Sequence, residues 1–288
     1  MSSQDVQYFT EGRSAEAVNA RITAEADPRL AQVMSALVKH LHAFAKEVHL
    51  TQDEWRVAID FLTRTGQICD DARQEFILLS DVLGLSMLVD AINNRRPSGA
   101  TENTVLGPFY VPGAPEYPMG TNISLDGKGE SCLFMGRVLD LEGKPVEGAK
   151  IEVWSDNAEG YYDVQQPGIQ PKWNNRGTFR TGADGAYSFR GIRPVSYPIP
   201  DDGPVGKLLA ALGRHPNRPA HTHFMVSAEG FETIVTHTFV GGDPWLTSDA
   251  VFGVKSSLIA RMSEGKAGDT QWISEFDFIM VPIRGRQG

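Results

Sequence analysis

Cysteine is scarce: only Cys69 and Cys132 occur in 288 residues, and they form no CxxC pair. That excludes a disulfide-built scaffold and a cysteine-bound zinc site, so a metal would have to be held by nitrogen and oxygen. Basic charge is short as well. Lys and Arg number 27 against 36 Asp and Glu, for a net charge of -9. No basic stripe is present, and pairs such as Arg95-Arg96 are too short to track phosphates, which sets nucleic acid aside as a main partner. No apolar run approaches the roughly 20 residues that cross a bilayer, so membrane insertion is not expected. The opening stretch MSSQDVQYFTEGRSAEAV lacks the apolar centre of a secretion signal, and the expectation is a cytoplasmic protein. Internal repeats and low-complexity tracts are missing too. What is there is an acidic globular chain whose 41% hydrophobic content suffices for one large domain or two modest ones.

Helical spacing occupies the first hundred residues. Leu30, Val33, Met34, Leu37, Val38, Leu41, Phe44 and Val48 make one apolar stripe on a long helix after Asp27-Pro28. Thr51 with Glu54 is a capping box opening the next helix, whose apolar face is Trp55, Ala58, Phe61 and Leu62. A third helix is predicted over roughly 71–93, with Phe76, Leu79, Leu83 and Met87, apolar enough all round to be sandwiched or packed on another subunit. After Pro97-Ser98-Gly99, turn residues and short alternating runs take over. Strands are predicted at 132–139 and 149–155 across the turn EGKPVEG, and a hairpin in TFRTGADGAYSF around Asp184-Gly185. More strands follow at 220–228, 233–240 and 272–281. The expected architecture is mainly β: an antiparallel β-sandwich over residues 101–288 behind a helical part over 1–100.

Inside one predicted strand, RPAHTHFMV, His221 and His223 are two residues apart and so face the same way. Two charged imidazoles would repel there, so a shared metal is one reason to place neutral rings together; hydrogen-bonded packing is the other. Oxygen donors are available in loops: Tyr161 and Tyr162 in SDNAEGYYDVQQPG, and Tyr197 in VSYPIPDDGP, where the following proline keeps the backbone extended. A free phenol titrates near pH 10, but a strongly charged cation deprotonates it. Two phenolates with two neutral imidazoles suit a hard trivalent ion such as Fe(III). The competing fate of a loop tyrosine is to anchor its hydroxyl on the backbone.

Taken together, TENTVLGPFY (101–110), GRVLDLEGKPVEGAKIEVWSDNAEGYYD (136–163), TFRTGADGAYSFRGIRPVSYPIPDDGPVG (178–206) and RPAHTHFMVSAEGFETIVTH (218–237) resemble the intradiol ring-cleaving dioxygenases over nearly the whole chain. The resemblance implies one non-haem Fe(III) per subunit, held by Tyr162, Tyr197, His221 and His223. Tyr162 rather than Tyr161 matches because it stands two residues after Gly160. Tyr197 is implied to be the ligand that an incoming diol displaces, taking up a proton as it leaves. Arg218 matches a residue beside the substrate ring that would stabilise negative charge as O2 attacks; a solvated loop arginine is the alternative. The family builds a homodimer through its helical arms and often holds a phospholipid between them.

His237 stands sixteen residues after His221, where catechol-cleaving members carry glutamine. With GYYDVQ and FVGGDPWLTSDAVFGVKSSL, it instead resembles the hydroxyquinol-cleaving members, which convert benzene-1,2,4-triol and O2 to 3-hydroxy-cis,cis-muconate, the tautomer of maleylacetate. The implied pocket includes Leu78, Asp81, Val105, Leu106, Gly107, Pro108, Phe109, Ile199, Pro200, Arg218 and His237. Asp81 is expected to accept a hydrogen bond from the third hydroxyl, against a helix N-cap or an interhelical bond. His237 is either a donor behind the metal ligands or a satisfied strand neighbour. Competing readings are a catechol or chlorocatechol 1,2-dioxygenase, a zinc site on the same histidines, and a metal-free β-sandwich binding module, which the GRVLDLEGKPVEGAKIEV segment alone would also fit.

Overall fold

The structure, a computed structural model, describes residues 8–70, 73–266 and 270–283. Its contacts divide the chain into two compact units, Met1–Gln67 and Ile68–Gly288. The first holds α1 (Ser14–Asn19), α2 (Pro28–Glu47) and α3 (Gln52–Gln67). Asp27 caps α2 by accepting from the Leu30 amide at 2.7 Å, with Pro28 at the first helical position. The Thr51–Glu54 capping box forms as expected, amide to carboxylate 2.9 Å and amide to hydroxyl 3.3 Å. Leu30, Leu37, Leu41 and Phe44 on α2 stay exposed in the single chain. No described helix is long and apolar enough to cross a membrane.

In the second unit, the helix expected over 71–93 is two helices, α4 (Glu75–Val82) and α5 (Leu85–Asn93); residues 71 and 72 lie outside those described. Gly84 separates them with φ +73°, a left-handed conformation that ends a helix and favours glycine. Phe76 and Leu83 are exposed and Met87 is buried. The unit also contains α6 (Pro204–Ala211) and eleven strands: β1 (Ser131–Asp140), β2 (Lys150–Trp154), β3 (Arg176–Arg180), β4 (Ala186–Ile192), β5 (Tyr197–Pro198), β6 (Asn217–Arg218), β7 (His221–Ser227), β8 (Ile234–Val240), β9 (Ile259–Glu264), β10 (Trp272–Glu275) and β11 (Phe278–Met280).

The unit is mainly β behind helices, as expected, but its sheet is mixed and barrel-like rather than purely antiparallel. Neighbours run β4, β1, β10, β9, β8, β7, β2, β3. β10 and β11 pair β1 in parallel and β9 pairs β8 in parallel, because long loops return these strands in the same direction. The strand expected at 272–281 breaks at 276–277, where β1 has Gly136: a Cβ there would run into the Phe276 carbonyl. The hairpin expected around Asp184-Gly185 is also corrected. Its turn forms, with Gly185 at φ +70°, but β3 goes to β2 and β4 goes to β1. Burial decides this: Phe179 of β3 and Phe189 of β4 stack at 5.1 Å across the core, so the turn is a corner between two limbs of the sheet. Phe134, Phe224, Val226 and Phe278 belong to the same core, each large side chain contributing about 1.5–3 kcal/mol when fully buried.

β7 is buried on both faces over its first four residues, with successive side chains turned to opposite sides. Phe224 and Val226 enter the core, so His221 and His223 face the opposite side. Register puts three more side chains on that side: Trp154 of β2 and His237 of β8 opposite His223, and Phe239 opposite His221.

Candidate active site

Two loops and one strand pair close over this face. The segment Thr101–Asn103 is laid along β8: Asn103 Oδ1 accepts from the Val235 amide, Thr236 Oγ1 donates to the Glu102 carbonyl, and the Thr104 amide donates to the Val235 carbonyl at 2.8 Å. Thr104 Oγ1 then meets His237 Nδ1 at 2.9 Å. The chain turns at Gly107, φ +77°, where a Cβ would stand 2.9 Å from His223 Cε1; only glycine lets the backbone rest on that ring. Phe109 stacks on Tyr162 with centroids 4.6 Å apart.

Tyr162 follows β2 in a loop organised by Asn157, whose Oδ1 accepts from the Glu159 and Tyr161 amides. Gly160, φ +82°, packs against Tyr197, whose Cβ would be 2.9 Å from a Cβ at 160. Behind the loop, buried Asp163 pairs with buried Arg176 at 2.6 Å and accepts from the Trp173 amide at 3.0 Å. Tyr197 is placed by β5, whose pairing with β6 sets it opposite Arg218.

These elements bring Tyr162, Tyr197, His221 and His223 together. Ring centroids are 6.1 Å apart for the two tyrosines, 5.9 Å for Tyr162 and His223, 5.5 Å for Tyr197 and His221, and 5.0 Å for the two histidines. His221 Nδ1 lies 2.7 Å from the Pro219 carbonyl, which can only accept, so the proton sits on Nδ1 and Nε2 is left as a donor atom for a metal. That Nε2 is 3.4 Å from the Tyr197 hydroxyl. Tyr161, by contrast, is 45% exposed.

The residues fit a bound cation. Tyr162 Oη is buried with no hydrogen-bond partner, as is His223 Nδ1. Neither tyrosine shows the backbone anchoring that would explain it as a packing group. Burial first, and then the charge of Arg218, holds His221 neutral, its pKa well below the usual histidine range. Burial and the neighbouring rings of His237 and His221 do the same for His223. Burial raises the Tyr162 and Tyr197 phenols, with Arg218 opposing the shift in both. Without a cation these are neutral phenols; a hard cation reverses that. His237 joins the cluster, its ring donor atoms within 4.8 Å of those of His221 and His223, and its Nε2 has no partner.

Arg218 is 6% exposed, so it is not a solvated loop residue. Its Nε donates to Asp249 Oδ1 at 3.2 Å and its Nη1 lies 3.3 Å from His221 Nε2. Asp81 stands in the last turn of α4, where it cannot serve as an N-cap. Burial raises its carboxyl, while a hydrogen bond with Ser86 of α5 and then the charge of Arg218 lower it, so Asp81 makes the interhelical bond offered as the alternative and also lies within electrostatic reach of Arg218. Leu78 precedes Asp81 by one turn of α4, Ile199 is buried two residues beyond Tyr197, and Val105 is half-buried beside the Gly107 turn. Leu106, Pro108 and Pro200 are exposed. A surface groove of about 590 Å³ lined by Pro145, Lys150, Arg180 and Phe231 contains none of the cluster.

Residues not anticipated from the sequence are Thr104, Trp154, Arg176, Arg214 and Asp249. Trp154 stacks on His223 at 4.9 Å. Its place follows from strand alternation once β2 is paired with β7; the other four carry no local signal.

Residues 105–282 match the family described as Dioxygenase, and residues 27–101 the family described as Catechol dioxygenase N terminus. The chain is 58% identical to a hydroxyquinol 1,2-dioxygenase of Rhizobium sp. (strain MTP-10005) over 96% of this chain and 97% of that one. It is 52% identical to a 6-chlorohydroxyquinol 1,2-dioxygenase of Cupriavidus pinatubonensis, over 96% of this chain and 99% of that one. The solved structure of a hydroxyquinol 1,2-dioxygenase from Pseudomonas putida DLL-E4 superposes with a TM-score of 0.92 at 46% identity, covering 95% of this chain and 99% of that one.

Proposed function

This chain belongs to the intradiol ring-cleaving dioxygenase family, and we propose that it opens hydroxyquinol, benzene-1,2,4-triol, with O2 between the two adjacent hydroxyl-bearing carbons. The product is 3-hydroxy-cis,cis-muconate, the tautomer of maleylacetate, formed in the aerobic breakdown of aromatic compounds. The observation that carries the reading is the convergence of two buried neutral imidazoles on two phenols, one of them with no hydrogen-bond partner. That donor set supports Tyr162, Tyr197, His221 and His223 as ligands of one non-haem Fe(III) per subunit. The ion, when bound, supplies Lewis acidity.

The chain's own groups then divide the work. Tyr197 Oη takes up a proton as the diol enters. Arg218, buried and fixed, faces the negative charge that develops on the ring. His237 lies behind the ligands, its Nδ1 committed to Thr104. Asp81 accepts from the third hydroxyl, and its loss should reduce preference instead of abolishing chemistry. In Asp81→Ala the ratio of kcat/KM for hydroxyquinol over catechol should fall roughly 10–100-fold, the scale of one buried acceptor left unpaired by the smaller diol. Parallel turnover assays check this, and an unchanged ratio removes Asp81 from recognition.

The exposed apolar stripe of α2 supports residues 1–100 as the dimerisation part, with a phospholipid between the arms of two copies, and residues 101–288 as the catalytic part of a cytoplasmic homodimer. The iron reading is tested by the visible spectrum and iron content of the purified protein, before and after anaerobic hydroxyquinol. A red-brown tyrosinate band that shifts on adding the triol, with about one iron per chain, is the expected result. A zinc site would be colourless, because a filled d shell gives no such band; a protein that stays colourless after Fe(III) reconstitution overturns the reading.

A further inference from the structure

The loop between β8 and β9 carries no metal-donor or pocket residue of the proposed reaction, yet it is built around one side chain. Asp249 is 5% exposed, and both its oxygens are engaged: Oδ1 accepts from Arg218 Nε at 3.2 Å and from the Val251 amide at 3.3 Å, and Oδ2 from the Gly253 amide at 2.8 Å. A carboxylate held by two backbone amides cannot rotate, so it offers the guanidinium a fixed direction. Between those amides Phe252 has φ +59°, a left-handed conformation that a bulky residue holds only under constraint. The constraint comes from Arg214, which lies 4.9 Å over the Phe252 ring and donates to the Ala250 carbonyl at 2.9 Å and to the Val82 carbonyl at 2.6 Å. Val82 ends α4, next to Asp81. On the far side, a Cβ on Gly253 would stand 3.0 Å from Arg218 Nη2, a buried nitrogen with no hydrogen-bond partner.

The geometry points to Asp249 as the positioning residue that aims Arg218 at the substrate ring, with Arg214 tying its loop to the helix that carries Asp81. The inference rests on the hydroxyquinol reading above. The Nε edge of the Arg218 guanidinium is spent on Asp249, with Nη2 on the same side beside Gly253, and Nη1, 3.3 Å from His221 Nε2, is the nitrogen that faces the cluster and serves the substrate. Charge developing in the ring is stabilised only if that nitrogen is already in place, so misaiming should slow the chemical step and leave the diol bound. Arg214 makes the same demand from both sides: the wall that reads the third hydroxyl and the arginine that serves the reacting ring move together or not at all.

The test compares Asp249→Ala, Asp249→Asn, Arg218→Ala and the Asp249→Ala/Arg218→Ala double variant in the iron-loaded protein. Steady-state kcat for hydroxyquinol and anaerobic dissociation constants from the visible band are measured for each. Asp249→Ala should lower kcat by about 100-fold while the dissociation constant and the resting band change less than about threefold. The double variant should be no more than about threefold slower than Arg218→Ala, since residues acting through one another are not additive. Should Asp249→Ala fail to fold, Asp249→Asn carries the test: one amide oxygen cannot serve three donors, and kcat should still fall about tenfold or more. Multiplying losses in the double variant, or full kcat in a folded Asp249→Asn, overturns the proposal alone. A wild-type protein with neither band nor turnover overturns the functional reading and this proposal with it.

Discussion

Replacing His223 by alanine is expected to reduce hydroxyquinol turnover by at least roughly 1,000-fold and to strip the protein of its visible band and its iron. Losing a mere outer partner of a metal ligand typically costs about 10–100-fold, and His223 stands closer than that. Its ring is 2% exposed, clamped between the Gly107 backbone and Trp154, with His237 4.1 Å away edge-on. The neighbouring Thr222 is the control, because strand alternation turns it to the other face of β7, beside Phe134 and Pro194. Thr222→Val should keep iron and turnover within a few-fold. Iron analysis and a spectrum of both variants decide the matter: a His223→Ala protein that keeps its iron and turns over would remove His223 from the ligand set.

Stability should be most sensitive at Arg176. Its guanidinium is 1% exposed and 2.6 Å from an Asp163 carboxylate that is itself buried. Removing one partner of such a pair leaves an uncompensated buried charge and costs about 3–5 kcal/mol. For a unit of this size that is a fall in Tm of roughly 6–20 °C, read by thermal unfolding. The damage should reach the site as well. Asp163 follows Tyr162 directly and holds the Trp173 amide, at a residue whose φ is +68°; Asn175, two residues on, has φ +54°. With the carboxylate unbalanced, that strained turn and the Tyr162 loop should loosen together, so Arg176→Ala should also bind iron more weakly. Adding Asp163→Asn should recover part of the Tm, because an amide needs no counter-charge and still accepts from Trp173. Recovery of nothing, or a Tm within about 2 °C of wild type in Arg176→Ala, contradicts the buried pair as a structural anchor.

How far these features were legible varies with their range along the chain. The Thr51–Glu54 capping box formed as expected, because it closes over three residues, and the long helix begins at Pro28 where its apolar stripe starts. The third helix failed at Gly84: the apolar spacing of Phe76, Leu79, Leu83 and Met87 runs through the break, and spacing does not register a left-handed glycine. The Asp184-Gly185 turn was read correctly and its consequence was not. A turn only reverses the chain; which strand each arm then pairs with is set by where Phe179 and Phe189 are buried. The parallel pairings of β9, β10 and β11 escaped for the same reason, since strand direction in a sheet depends on loops many residues long.

What the sequence determined by itself is chemistry and facing: two histidines two residues apart in a strand must share a face, Pro198 must hold Tyr197 extended, and a chain with two cysteines far apart must offer nitrogen and oxygen to a metal. Those are consequences of covalent geometry and residue type, and they hold before the chain folds. Only the tertiary structure decided that Trp154 and His237 flank His223, that Thr104 reaches His237, that the Gly107 backbone rests on the His223 ring, and that Asp249 grips Arg218 across 31 residues. Each is a contact between segments that pattern alone cannot pair, because register and loop closure are settled by the burial of the whole core.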